Sequence, residues 1–317
     1  MKRMRPVWLA VAVLVLGGAV GMAQEQAIDV VAKKAAEPPV IDGKVDKVWG
    51  TVEAVRVTLK EGKQGHVELR ARALYTDSHV FFLFQWPDKT ESLNRFYELV
   101  GGEWKKAKGE EDRLSLLWDI GGSVKDFPKM GCTAVCHKED KTVTFGTTAL
   151  GQKLDLWNWT AQRSNPLGYM DDLVMFHEAR GNRPARRADG GGGYEDNWDK
   201  DAKRPRFSFK EGATLGPVLL KADAVEIKDA GKFKAGDRLP REVLEKPVGG
   251  RGDIEAKAAW DNDRWTLEVR RARVTKDEGD VQLSGSGPFL FGISVHDNGE
   301  KDEHAHTDKT VLRLLLK

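Results

Sequence analysis

Hydrophobic and polar residues alternate with a period of two along much of the chain, as in strands that bury one face. In HVELRARALYTD the apolar positions alternate with charged ones: Val67, Leu69, Ala71 and Ala73. The next stretch, HVFFLFQWPD, is apolar on both faces, and residues 76–78 between the two stretches supply turn residues. This arrangement predicts a β-hairpin.

The same pattern recurs in four later stretches: RLSLLWDI, DIEAKAAWDNDRWTLEV, PFLFGISVHDN and TVLRLLLK. Helix signals are weak, and the strongest is SLNRFYELV, whose Leu93, Phe96, Tyr97 and Val100 would share a helical stripe. Many short strands with little helix predict an all-β protein, an antiparallel β-sandwich with short helices and long loops.

Residues 180–206 interrupt this pattern, because they are rich in glycine, proline and charge and nearly devoid of apolar residues. Such a composition predicts a long mobile loop. A domain boundary would have the same composition. We interpret the segment as an insertion, because the strand-rich stretches on both sides complete one sheet system, so that residues 24–317 form a single domain.

The N-terminus has the layout of a secretory signal peptide, with basic residues, an apolar run over residues 7–20 and small residues before Gln24. Cleavage after Ala23 is the prediction, and a retained membrane anchor is the alternative, although the run is shorter than the roughly 20 residues that span a bilayer. Cleavage removes three positive charges and no acidic residue, so the formal charge falls from +2 to −1. We therefore expect an exported, periplasmic protein with no membrane span after cleavage and no nucleic-acid partner.

Cys132 and Cys136 are the only cysteines, and His137 directly follows the second. Three interpretations compete. A disulfide would suit an oxidising compartment but leaves His137 without a role, and a zinc site would need a fourth ligand. Covalent haem attachment uses all three residues, although C-x-x-x-C-H is a rarer spelling than C-x-x-C-H. In an exported chain we favour haem c, with thioethers from Cys132 and Cys136 and His137 as the proximal iron ligand.

Four stretches carry a family resemblance: PPVIDGKVDKVWG, ARALYTDSHVFFLFQWPDKTES, DLWNWTAQRSNPLGYMDD and FGISVHDNGEKDEHAH. From about Pro38 to its end, the chain resembles the haem-binding domain of the gamma subunits of ethylbenzene dehydrogenase and dimethyl sulfide dehydrogenase, which also occurs in periplasmic cytochromes c. The resemblance implies a β-sandwich like those of DOMON domains and family-nine carbohydrate-binding modules. The gamma subunits resemble haem b proteins with methionine and lysine ligands, whereas GCTAVCH points to the c-type branch.

A six-coordinate haem iron needs a second axial ligand, and the candidates are histidines and methionines. His304 and His306 are two residues apart, so an extended backbone directs both to the same side. By resemblance, the gamma subunits' lysine ligand lies in the corresponding loop, so we favour His304, with His306 behind it; a polar surface turn is the alternative for the pair. Met170 and Met175 are the thioether candidates.

The other aromatic and histidine residues have structural interpretations. We expect His66 and His79 at the surface, His296 solvated or capping beside a turn, and His177 as a lid residue. Trp157 and Trp159 share one strand face, and we expect them in the core rather than against a haem edge.

We find no paired carboxylates and no nucleophile placed beside a base, so we expect an electron-transfer protein and not an enzyme. The expected function is a single-haem c-type cytochrome that carries electrons between periplasmic or membrane redox partners. Association with a molybdenum oxidoreductase as its haem subunit is a variant. The alternatives are a carbohydrate-binding module with a Cys132–Cys136 disulfide, and an open iron site for sensing or peroxide chemistry.

Overall fold

The computed structural model describes residues 27–62, 65–135, 146–299 and 303–317. The predicted signal peptide, Cys136 and His137 lie outside the described residues. In chain order the strands are β1 (Ala27–Lys34), β2 (Val55–Glu61), β3 (Gly65–Tyr75), β4 (His79–Pro87), β5 (Phe96–Val100), β6 (Glu103–Lys106), β7 (Arg113–Asp119), β8 (Lys153–Thr160), β9 (Tyr169–Glu178), β10 (Arg183–Ala188), β11 (Gly190–Asp196), β12 (Trp198–Asp199), β13 (Arg204–Pro205), β14 (Phe207–Phe209), β15 (Leu219–Leu220), β16 (Ala224–Glu226), β17 (Arg238–Pro240), β18 (Glu242–Gly249), β19 (Ile254–Trp260), β20 (Arg264–Ala272), β21 (Phe289–His296), β22 (His304–His306) and β23 (Val311–Leu316).

Helical structure is sparse in the described part of the chain. It comprises the four-residue helix α1 (Phe127–Met130) and short 3-10 turns at Lys47–Thr51, Gly131–Ala134, Asn165–Leu167, Lys221–Asp223 and Gly250–Gly252. The all-β prediction is therefore confirmed, and so are the hairpins β3–β4 and β19–β20.

Thirteen strands join into one hydrogen-bonded sheet that folds into two layers. The first layer contains β2, β3, β4, β20 and β19, and the second contains β9, β8, β7 and β21. A short ladder from β19 to β9 connects the layers at one edge. The ladders within these layers are antiparallel, whereas β1 at the other edge runs parallel to β23 and β3.

Aromatic side chains fill the space between the layers. Phe82 of β4 has its ring centroid 6.0 Å from Trp118 of β7, 6.2 Å from Trp157 of β8 and 6.4 Å from Phe291 of β21. Trp159 packs against Trp86 and Trp265 of the first layer. These contacts confirm a β-sandwich, and they place Trp157 and Trp159 in the core as expected.

The period of two gives each strand of the second layer two different faces. On β7, Leu114, Leu116 and Trp118 belong to the core, whereas Ser115 and Leu117 face the opposite side. The second layer therefore offers a face that the sandwich core does not use.

The helix predicted for SLNRFYELV is wrong. Phe96–Val100 forms β5, which pairs with β6 and β17. Tyr97 and Leu99 are buried and two residues apart, so the stretch also fits a strand period, and pairing with distant segments decided between the two.

The strand-free loop predicted for residues 180–206 is also corrected. Arg183–Ala188 pairs with β9, and Gly190–Asp196 pairs with β18. Backbone ladders need no apolar side chains, which is why the apolar pattern missed these two strands. No helix in the described part of the chain has the length and apolar content to cross a bilayer.

We expect Phe82→Ala to lower the free energy of unfolding by about 3–5 kcal/mol, because truncating a large buried aromatic loses its contacts and leaves a cavity. Chemical denaturation followed by tryptophan fluorescence measures this loss. The control is Val225→Ala, at an exposed position of β16, which should change the value by less than about 0.5 kcal/mol. A Phe82→Ala loss as small as that of the control would contradict the described packing.

Candidate functional site

A pocket of about 500 Å³ lies on the outer face of the second layer. Its apolar wall comes from alternate positions of β7, β8 and β9: Leu117, Leu156, Leu173 and Met175. The turn containing Cys132, strand β10 and Tyr194 of β11 supply further walls. The pocket thus lies on the face of the second layer that points away from the sandwich core.

Three histidines line this pocket, and all are nearly buried, with exposed fractions of 9% for His296, 9% for His304 and 1% for His306. His296 of β21 is the direct ladder partner of His304 of β22. The ring centroids of His296 and His304 are 4.8 Å apart, and those of His304 and His306 are 5.4 Å apart. His304 and His306 therefore face the same side as predicted, but the prediction that His296 is solvated is wrong.

The ring nitrogens of His306 have defined partners. Nδ1 accepts a hydrogen bond from the Asp308 backbone N–H at 2.9 Å, and Nε2 lies 3.3 Å from a carboxylate oxygen of Glu61. This arrangement assigns the proton to Nε2, which donates to Glu61. Both nitrogens of His306 are therefore engaged.

Cys132 is buried against the same histidine group, with its Sγ 3.8 Å from Nδ1 of His306 and 3.8 Å from Oγ1 of Thr307. Burial raises the pKa of its thiol to about 11, so the thiol is neutral at pH 7. A β-carbon on Gly292 would lie 3.2 Å from the Cys132 Cβ. The glycine in this outward position of β21 therefore allows the cysteine turn to lie against the sheet.

The two candidate methionine ligands lie in different parts of the fold. Met175 lines the pocket, whereas Met170 is fully buried in the sandwich core. Met170 as an iron ligand is therefore a wrong prediction: Met170 and Met175 are five positions apart on β9, so their side chains point to opposite faces of the sheet.

The other histidines that the structure describes lie away from the pocket. His177 is bonded to the Thr147 carbonyl at 2.9 Å and to Asn182 at 3.0 Å, and it does not line the cavity. His66 is exposed beside Glu68, and His79 is half-buried at the start of β4.

The pocket carries positive charge. Four arginines line it, and no described lining residue is acidic: Arg113, Arg163, Arg186 and Arg187. Arg113 of β7 is the direct ladder partner of His296 of β21. Such a wall suits a ligand with anionic groups, since guanidinium binds carboxylates and phosphates in a bidentate manner. The apolar pattern missed these arginines; the only signal was the RR pair within the segment that we interpreted as a loop.

A buried carboxylate fixes two of these arginines. Glu111 is fully buried, and it accepts hydrogen bonds from Arg163 Nε and from the backbone N–H of Gln162. Arg113 and Arg95 also lie within ion-pair distance of Glu111. Burial alone would raise the pKa of Glu111, but the three guanidinium groups outweigh burial and hold the pKa below its ordinary value.

A second cleft of about 680 Å³ lies beside β5 and β6 and is lined by Trp104, Trp198 and Phe233. Trp104 and Phe233 pack edge to face, 5.4 Å apart. The cleft has no histidine or cysteine among its described lining residues.

Comparison with known protein families identifies the family of this chain. The sequence profile of the ethylbenzene dehydrogenase family matches residues 46–308, so the chain belongs to this family. The predicted resemblance to ethylbenzene dehydrogenase is thereby confirmed, whereas the closer likeness to haem-binding gamma subunits stays a prediction. A search of curated proteins found no match.

Among solved structures, the chain is similar to a family 9 carbohydrate-binding module from Caldicellulosiruptor kristjanssonii. In its glucose complex the identity is 10%, the TM-score 0.38, and the coverage 92% of this chain and 97% of that chain. In its cellotriose complex the values are 11%, 0.36, 92% and 95%. A putative carbohydrate-binding protein from Bacteroides uniformis gives 6%, 0.40, 91% and 99%.

We expect Glu111→Gln to cost about 3–5 kcal/mol of unfolding free energy at pH 7, because it leaves buried guanidinium groups without their counter-charge. A carboxyl whose pKa is lowered by folding contributes stability above its unfolded pKa of about 4.3, and this contribution is lost as the pH falls through the folded pKa. The difference between wild type and variant should therefore shrink in acid.

Denaturant titrations at pH 7 and below pH 4 test this dependence. Glu103→Gln, at an exposed position paired only with Lys105, is the control and should cost less than about 1 kcal/mol. A Glu111→Gln cost that does not change with pH would contradict the ionised state of Glu111.

Proposed function

We propose that this chain is an exported, single-haem c-type cytochrome that carries electrons between redox proteins, and that the pocket on the second layer holds the haem. The observation that carries the proposal is the convergence of Cys132, His304 and the arginines on one cavity with an apolar wall. These residues come from five separate parts of the chain, and only the fold brings them together.

The residues present fit a haem group. The volume of about 500 Å³ lies within the range of cofactor sites, roughly 300–1,000 Å³. The leucines and Met175 offer apolar contact to a porphyrin, and the arginines offer donors to its two carboxylates. The neutral Cys132 thiol, buried beside His306, is available for a thioether.

Each residue then has a role. Cys132 would provide one thioether and His304 would bind the iron, with His306 and Met175 as the less favoured ligands. The proximal ligand His137 and the second anchor Cys136 lie outside the described residues, and their roles rest on the C-x-x-x-C-H spacing. A bound haem supplies one-electron transfer between ferric and ferrous iron.

The chain's own contribution is to hold and shield this site. The sandwich supplies a rigid floor, the apolar residues keep water out, and Glu111 orients Arg113 and Arg163. No catalytic residue is proposed. The partners are an electron donor and an electron acceptor, which dock through small contacts; a molybdenum oxidoreductase of the kind that names the family is one such partner.

We expect the chain, produced in a bacterium with cytochrome c maturation proteins, to gain the mass of one haem and to keep its colour in denaturing electrophoresis. Cys132→Ser with Cys136→Ser should abolish covalent attachment, because no thiol remains. Intact-mass spectrometry measures both. Lys129→Gln, an exposed neighbour of the cysteine turn, should retain full attachment. A bare polypeptide mass for the wild type, with the two thiols joined as a disulfide, would contradict the proposal.

His304→Ala should convert a six-coordinate low-spin iron into one with an open site, because the variant lacks the distal imidazole. Optical spectra of the oxidised and reduced protein, with and without carbon monoxide, report this change. His79→Ala, outside the pocket, is the matched control and should leave the spectra unchanged. Low-spin spectra in His304→Ala identical to wild type, or a far-red methionine-to-iron band in the wild type, would exclude His304 as the ligand.

Carbohydrate binding is the second candidate, and the aromatic cleft of Trp104, Trp198 and Phe233 favours it, since aromatic rings stack on sugar faces. It predicts a colourless chain whose tryptophan fluorescence responds to soluble oligosaccharides, with the response lost in Trp104→Ala. Mass and colour separate the two candidates before any sugar is added.

A further inference from the structure

A group of carboxylates lies where the end of β10 meets the loop between β20 and β21. Asp189 follows β10 directly, and Asp277 and Asp280 belong to the loop. One carboxylate oxygen from each of the three lies within 4.8 Å of the others. The three residues come from segments nearly 90 positions apart, so the fold has gathered them.

Two of these carboxylates lack the donors that buried oxygens require. Asp280 is 3% exposed, and its Oδ1 accepts no hydrogen bond from any described residue, whereas its Oδ2 is bound by Arg271 at 2.8 Å. Both oxygens of Asp189 are buried atoms that likewise have no donor within the described chain. Unpaired buried carboxylate oxygens are costly, so these atoms call for a positively charged partner.

The charge of Arg187 reaches Asp189, but the guanidinium that binds Asp280 is already shared with other carboxylates. Arg271 is buried and already lies within ion-pair distance of three carboxylates: Asp155, Asp172 and Asp280. Asp155 and Asp172 are themselves fully buried. One buried guanidinium is thus shared by three buried carboxylates.

The loop between β20 and β21 holds the carboxylate of Asp277 and leaves space beside Asp189. The backbone N–H of Gly279 donates to Asp277 Oδ1 at 2.7 Å, which holds that carboxylate in place. A β-carbon on Gly279 would lie 3.1 Å from Asp277 Oδ1 and 3.5 Å from an oxygen of Asp189. The glycine therefore leaves open the space between the two carboxylates.

We propose that Asp189, Asp277 and Asp280 bind a calcium ion. A site made only of oxygen atoms selects a hard cation over zinc or copper. Three carboxylate oxygens within 4.8 Å of one another can all reach one cation at the 2.3–2.6 Å ligand distance of calcium. Magnesium usually keeps several waters and takes only one or two carboxylates, so a group of three carboxylates favours calcium.

The ion joins two parts of the fold. Asp189 ends the strand that carries Arg186 and Arg187 into the pocket, and Asp277 and Asp280 belong to the sandwich loop. Calcium at this point fixes the pocket wall formed by β10 to the layer behind it. None of the three ligands lines the pocket, so the calcium site and the haem site stand or fall separately.

The test is isothermal titration of the purified full-length mature chain, first treated with EDTA, with calcium chloride and then with magnesium chloride. We expect one calcium ion per chain, with an affinity in the range of extracellular modules, about 0.1–1 mM or tighter, and weaker binding of magnesium. Asp189→Asn and Asp277→Asn should each weaken calcium binding by more than about tenfold, as expected for loss of a charged ligand.

Glu278→Gln is the matched control, because Glu278 lies in the same loop and its side chain is 92% exposed; its calcium affinity should stay within about twofold of wild type. Circular dichroism of each calcium-free variant establishes that it is folded. Failure of the folded wild type to bind calcium at about 10 mM, or equal binding by wild type and Asp189→Asn, would overturn the proposal.

Discussion

The packing of aromatic residues between the two layers is the interaction on which the rest of the structure depends. Phe82 from the first layer contacts Trp118, Trp157 and Phe291 of the second. These three residues lie on the strands whose opposite faces form the floor of the pocket. Because side chains alternate along a strand, burying the aromatics inside the sandwich directs Leu117, Leu156 and Gly292 outward. The core thus determines the register of the site.

Charge is distributed unevenly around this scaffold. On the pocket side, Glu111 is surrounded by Arg95, Arg113 and Arg163, so a buried carboxylate serves to hold cationic groups at a cavity rim. On the side of the β20–β21 loop the balance is reversed, with Arg271 among acidic groups. An anionic cofactor and a divalent cation are the ligands that would neutralise these two regions, which meet at the C-terminal end of β10, where Asp189 follows Arg186 and Arg187.

The sequence predicted most of the strands, because alternation is a local property that a buried face imposes. The spacing also predicted that His304 and His306 face the same side, because this prediction needs only an extended backbone. His296 was misjudged because its position depends on the ladder between β21 and β22, and residue spacing does not reveal a register between strands. Met170 and Met175 are five positions apart, so a strand directs them to opposite faces and only one of the two could line the same pocket.

The helix and the loop failed for related reasons. Tyr97 and Leu99 fit both a helical and a strand period, and the distant partner β17 decided the outcome. Residues 183–196 contain few apolar side chains, yet their backbone completes ladders with β9 and β18. The arginine wall and the carboxylate group both involve this segment, so neither could be located before the fold was known.

The central claim is that the pocket over β7, β8, β9 and β21 is where this protein holds iron. Anomalous diffraction at the iron absorption edge, from crystals of the protein matured in a cytochrome c-producing host, tests it most directly. The account predicts one iron peak inside the pocket, at coordination distance from a His304 ring nitrogen. A matured protein without an iron peak, or with its iron outside this pocket, would contradict it.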